Sequence, residues 1–155
     1  MSEPSSWIVV GGVENFHKTR DLGFTVHGFK STRRKMAASV KPGDLLIFYV
    51  TGVKRFAGTA RIVSEMAEDH TPIWSNPKKP GEDYPYRVRI EPEIVLDDAR
   101  WVEAAPLAAR MTYTQKWPPA HWTLAFQGNL HHVPYSDYEL IAAELRAAAE
   151  GVKAA

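Results

Sequence analysis

Cysteine is absent from the 155 residues. That absence excludes disulfides, thiolate zinc sites and a cysteine nucleophile together. No apolar run approaches the roughly 20 residues that a membrane-spanning helix needs, so no membrane partner is expected. The opening Met1–Ser6 has neither a basic n-region nor an apolar h-region. No secretory signal is read there, and a cytoplasmic protein is expected. Charge of one sign is lacking too: 19 Lys and Arg face 18 Asp and Glu, a net +1. That balance by itself points to no nucleic-acid partner.

The usual catalytic signatures are also missing. Gly12 to Thr19 follows an apolar strand as a P-loop would, but His17 stands where the phosphate-wrapping backbone needs glycine. The histidines His17, His27, His70, His121, His131 and His132 form no His-Glu-x-x-His pattern. No Gly-x-Ser-x-Gly elbow supports a serine nucleophile. Glu91 and Glu93 share one face of a strand and read as solvent-exposed. No metal site and no cofactor are expected.

What is present is the composition of a packed globule, 45% hydrophobic and 24% charged. A chain of this size buries roughly 68–70% of its unfolded surface without staples. We read residues 1–155 as one domain with a core over about 6–150. Trp7–Val10 reads as a buried strand stopped by Gly11-Gly12, and Val13–Leu22 as a short helix. Gly23–Phe29 reads as a loop carrying large side chains. Ser31 caps a helix to about Ser39, closed by the turn Lys41-Pro42-Gly43-Asp44. Leu45–Val50 is the most apolar strand and is placed centrally. Phe56–Ser64 follows through a hairpin at Thr51–Lys54. Tyr86–Ile90 alternates as a half-buried strand does, and continues past a bend at Pro92 to Leu96. Leu124–Phe126 reads as a last short strand. Ser136-Asp137-Tyr138-Glu139 reads as a capping box opening a helix to about Glu150. The sum is an α+β domain around a strongly curved mixed sheet or small barrel.

Charge is unevenly spread. Between Phe16 and Phe56 stand nine basic residues and only Asp21 and Asp44, a local excess of +7. Phe24, His27 and Phe29 open directly onto Lys30, Arg33, Arg34 and Lys35. Rings that stack a base beside cations for its phosphates are what recognition of a single nucleotide requires.

Several segments together resemble the EVE domain family of the PUA-like superfamily, related in fold to the YTH readers of N6-methyladenine. They are Trp7-Ile-Val-Val, Glu14-Asn15-Phe16, the Phe24–Phe29 loop and Val40-Lys-Pro-Gly-Asp44-Leu-Leu-Ile-Phe-Tyr49-Val. Tyr84-Pro-Tyr-Arg87 and His132-Val-Pro-Tyr-Ser-Asp-Tyr138 complete the set. The Gly-x-Lys-x-x-Glu-x-Arg pattern of the related ASCH branch is absent.

The resemblance implies a curved mixed sheet closing toward a PUA-like barrel with peripheral helices. It also implies a pocket for a flipped modified base, of the methylated or hydroxymethylated cytosine type, in DNA or RNA. Asn15 is the expected reader of the base edge. Phe29, with His27, is the expected wall, and Tyr49 and Val50 the floor; Phe16 and Gly28 complete the pocket. Where YTH readers use tryptophan, this loop has Phe and His, a softer cage. Lys30, Arg33, Arg34 and Lys35 are the expected phosphate contacts. Two other readings stay open. An enzyme of the same fold, acting on a modified nucleobase or a nucleotide-like small molecule, would use His27 as its titrating group, and an adaptor would use an exposed Trp74.

Overall fold

The computed structural model describes residues 4–151. The chain runs through β1 (Ser6–Gly11), α1 (Val13–Asp21), β2 (Val26–Phe29), α2 (Arg34–Ala37), β3 (Leu45–Val50) and β4 (Arg55–Ile62). It continues through β5 (Ala67–Glu68), β6 (Tyr86–Val95), β7 (Val102–Glu103), α3 (Ala104–Ala108), β8 (Leu130–Val133) and α4 (Tyr135–Ala149). The described strands form one sheet in the order β2-β6-β4-β3-β1-β8, with β5 on β6 and β7 on β4. Among the described strands only β1 and β3 pair in parallel. The sheet curls strongly into a half-barrel with helices around it, the expected α+β class.

One side chain ties the ends of the curl together. Asn129, just before β8, donates from Nδ2 to the Val10 carbonyl at 2.8 Å. Its Oδ1 accepts the Lys30 N–H, just after β2, also at 2.8 Å. These are the two outer strands of the sheet order, so the contact closes it toward a barrel. Both of its backbone partners would otherwise compete poorly for water in the interior.

Sequence explains the central elements. β3 is Leu-Leu-Ile-Phe-Tyr-Val, buried along its whole length between β1 and β4. The turn before it works as a clamp. Gly43 adopts φ 94°, and the Asp44 carboxylate accepts the Lys41 N–H and the Trp7 indole N–H, each at 2.9 Å. α4 packs over β4 and β6 and buries Tyr138, Ile141, Ala142 and Leu145 at helical spacing. α1 ends in a left-handed turn at Gly23 and Phe24, φ 74° and 55°. The turn costs Phe24 about 1–3 kcal/mol. It delivers the ring against Phe16 at 5.6 Å and Phe48 at 6.2 Å. Burying such a ring contributes about 1.5–3 kcal/mol, which offsets the strain.

Four local expectations are corrected. Val26–Phe29 is no loop but edge strand β2, paired antiparallel with β6 from Val26↔Arg89 to Phe29↔Tyr86. Leu124–Phe126 belongs to a 3-10 segment, Pro119–Phe126, and the last strand is Leu130–Val133. The helix from Ser31 is a 3-10 turn followed by the single turn of α2. The capping box does not form, because the N-cap of α4 is Pro134, two residues before Ser136. Asp137 is then free to accept the Thr112 and Tyr113 N–H groups, each at 2.8 Å. The bend at Pro92 is present as a register shift, with Ala60 opposite Pro92 and Thr59 opposite Ile94.

Candidate functional site

Because β1 and β3 run parallel, their carboxyl ends finish side by side. β1 leaves through Gly11-Gly12 into α1, and β3 leaves through the exposed Thr51–Lys54 turn. A cleft of about 730 Å³ opens between these exits, within the usual range for small-molecule sites. Tyr49 and Phe126 stack on one side, centroids 4.6 Å apart. Tyr84, the Ser75–Lys78 segment and Asn15 also line the cleft. Lys30, Lys54 and Lys78 line it beside a single carboxylate, Glu14.

A deeper cavity of about 20 Å³ shares Val10, Gly11, Asn15, Tyr49 and Tyr84 with the cleft. It adds Phe16, His27, Gly28, Phe48, Trp74 and Asn129. Its volume suits one water-sized group.

The segment before β6 is held against this floor by a buried polar relay. Asn15 Oδ1 accepts the Ser75 N–H at 3.0 Å. Trp74 donates its indole N–H to Thr19 Oγ1 at 2.9 Å, and Thr19 Oγ1 lies 2.8 Å from His27 Nδ1. The Trp74 ring lies so close to Gly28 that a Cβ there would stand 2.6 Å from Trp74 Cζ3 and 2.8 Å from the Tyr84 carbonyl. Only glycine fits. Arg87 covers the ring at 5.1 Å and donates to the Tyr84 and Thr71 carbonyls. Trp74 is therefore 5% exposed, and the reading of it as an exposed adaptor residue is corrected.

Burial sets the protonation states. It pushes the Tyr49 phenol up to about 12 and raises Tyr84 as well, with the Glu82 charge adding and the Asn15 amide opposing. It holds His27 down at about 3. Burial therefore opposes the titration near neutrality that the enzymatic reading assigns to His27.

The expected pocket residues divide. Asn15 and Tyr49 line both cavities, while Phe16, His27 and Gly28 line the deeper one. Phe29 and Val50 are 0% and 1% exposed and line neither, since both point into the core. The expected phosphate contacts divide too. Lys30 lines the cleft but pairs with Glu82 at 3.2 Å. Arg33 is packed over Gly128, its Nε buried without a partner among the described residues. Arg34 and Lys35 are exposed and line neither cavity. Sequence reasoning missed Tyr84, Phe126, Lys54 and Lys78. Tyr84 left a signal in the Tyr84-Pro-Tyr-Arg87 motif and Lys54 one in the basic stretch before Phe56. Among the described residues no three His, Asp or Glu side chains gather as a metal site, and no helix is long and apolar enough to cross a membrane.

The sequence matches the EVE domain model over residues 2–144. The chain belongs to the EVE domain family. A UPF0310 protein of Pyrococcus abyssi is 28% identical over 145 residues, covering 88% of this EVE domain and 96% of that protein. Among solved structures, the Mmi1 YTH domain superposes with a TM-score of 0.68 at 14% identity, over 96% of this chain and 79% of that one. The YTH domain of Zygosaccharomyces rouxii MRB1 protein, in complex with N6-methyladenosine RNA, superposes with a TM-score of 0.62 at 18% identity, over 94% and 88%. The EVE domain thus shares the YTH fold.

Proposed function

We propose that this EVE domain is a binding module that takes one modified base of a nucleic acid into the cleft, without chemistry. The observation that carries the reading is one concavity that joins stacking rings, a polar base and a cationic rim. Tyr84, Tyr49 and Phe126 supply rings, Asn15 an edge contact, and Lys54 and Lys78 the rim. Each base stacked on a ring is worth roughly 1–3 kcal/mol, and extruding it from a duplex costs a few. Backbone contacts from the rim lysines therefore tip the balance. A YTH domain of the same fold was solved with N6-methyladenosine RNA, which supports nucleic acid as the ligand class.

The family resemblance favours a methylated or hydroxymethylated cytosine. A buried methyl contributes only about 0.8 kcal/mol. Larger selectivity comes from penalising the wrong base.

Fluorescence anisotropy tests the function, with labelled DNA and RNA oligonucleotides that differ by one modified base, at two salt concentrations. At least tenfold tighter binding of one modified oligonucleotide, about 1.4 kcal/mol, and weakening with salt are expected. Equal and weak binding of every oligonucleotide sinks the proposal.

A further inference from the structure

We propose that His27 is a locked Nε2–H donor at the floor of the deeper cavity, so that the bound base must present a hydrogen-bond acceptor there. The inference rests on the base-binding reading above and adds the residue that discriminates between bases.

The lock follows from counting hydrogens. An indole N–H only donates, so Trp74 makes Thr19 Oγ1 an acceptor. The Thr19 hydroxyl has one hydrogen of its own. Among the described residues its only further side-chain partner is His27 Nδ1, at 2.8 Å. Nδ1 therefore accepts, and in a neutral imidazole the proton sits on Nε2. Thr19 is 0% exposed and His27 6%, so water does not scramble the arrangement. Burial in this apolar setting keeps the ring neutral.

Nε2 has no hydrogen-bond partner among the described residues. The neighbouring rings Phe29, Phe48 and Trp74, centroids 6.1, 5.2 and 5.4 Å away, offer none. His27 lines the deeper cavity, and Nε2 is on the ring edge remote from Thr19. Nε2 keeps access to open space instead of being sealed without a partner, so a ligand that fills the cavity and supplies an acceptor is favoured, and one that supplies N–H sets two donors against each other and is rejected. Asn15 reinforces the pattern. Its Oδ1 is taken by the Ser75 N–H and its amide also interacts with the Tyr84 hydroxyl, which leaves one amide N–H for the ligand. Two donors at one floor match two adjacent acceptors. The O2 and N3 of a cytosine are such a pair, whereas a thymine or uracil carries hydrogen on N3.

Two measurements decide it. Long-range ¹H–¹⁵N correlation spectra of the wild-type protein report the tautomer of His27 without any ligand or variant. The expected result is a single Nε2–H form at pH 7. Anisotropy then compares oligonucleotides with one 5-methylcytosine or one thymine, which share the methyl group. The wild type is expected to prefer 5-methylcytosine at least tenfold. His27→Asn keeps an acceptor for Thr19 and removes the Nε2–H, and Thr19→Val removes the relay; either lowers the preference to under threefold. An Nδ1–H tautomer, or a full preference retained in the folded His27→Asn protein, overturns the proposal. Binding without any preference in the wild type overturns it too but leaves the reader function standing. Absence of binding to every oligonucleotide refutes the reader function and, with it, the ligand half of this inference.

Discussion

The neutral state of His27 makes this protein measurably sensitive to acid. In the folded chain burial depresses the imidazole to about 3, against 6.5 when free. As pH falls through 6.5 the unfolded chain takes up a proton and the folded chain does not. The contribution of this group is therefore complete above pH 6.5 and is lost as pH falls toward 3. The full loss is about 5 kcal/mol, from 1.36 kcal/mol for each pH unit between the two values. Between pH 7 and pH 5 it amounts to about 2 kcal/mol. Urea denaturation of the wild type and of His27→Asn at both pH values isolates the term. His131, also lowered by burial, titrates in both proteins and cancels in the difference. The wild type is expected to lose about 2 kcal/mol more than the variant on going to pH 5. Parallel losses in the two proteins would show that His27 is protonated in the fold, and the argument for its neutrality would fail.

Three further outcomes are expected. Gly28→Ala places a Cβ 2.6 Å from the Trp74 ring and 2.8 Å from the Tyr84 carbonyl; it should cost about 1–3 kcal/mol and red-shift tryptophan emission as Trp74 is displaced. Asn129→Ala leaves the Lys30 N–H and the Val10 carbonyl without the partners they now have at 2.8 Å. A loss of about 3 kcal/mol in urea denaturation, with faster hydrogen exchange at the Lys30 amide, is expected; an unchanged midpoint would mean that the sheet ends hold without this side chain. Replacing Lys54 and Lys78 together by Gln should reduce the log–log salt slope of single-strand binding by about 1.4, at roughly 0.7 per phosphate. Arg33→Gln should leave that slope unchanged.

Much of the frame was readable residue by residue. Trp7–Val10 and Leu45–Val50 are short apolar runs ended by turn residues, and nothing but buried strands suits them. Leu140, Ile141 and Leu145 recur at helical spacing and mark α4. Strand β2 was not readable, because four residues containing Gly28 carry no period and gain their strand geometry only from pairing with β6. Ser136–Glu139 satisfied a local capping pattern, but Asp137 makes stronger use of its carboxylate against two N–H groups more than 20 residues away. The basic run around Lys30–Lys35 looked like one face. Folding pairs Lys30 with Glu82 and lays Arg33 over Gly128.

The sequence by itself determined the fold class, the family and the central strands. Local periodicity and turn chemistry act over a few residues, so a linear reading captures them. Only the tertiary structure decided which rings line the cleft, which cations pair among the described residues and which side chain meets His27 Nδ1. Those outcomes depend on partners 8 to 99 residues apart, such as Thr19 and His27, Thr19 and Trp74, or Lys30 and Asn129. Burial and hydrogen-bond competition act between groups that meet only when the sheet curls, and no spacing along the chain encodes them.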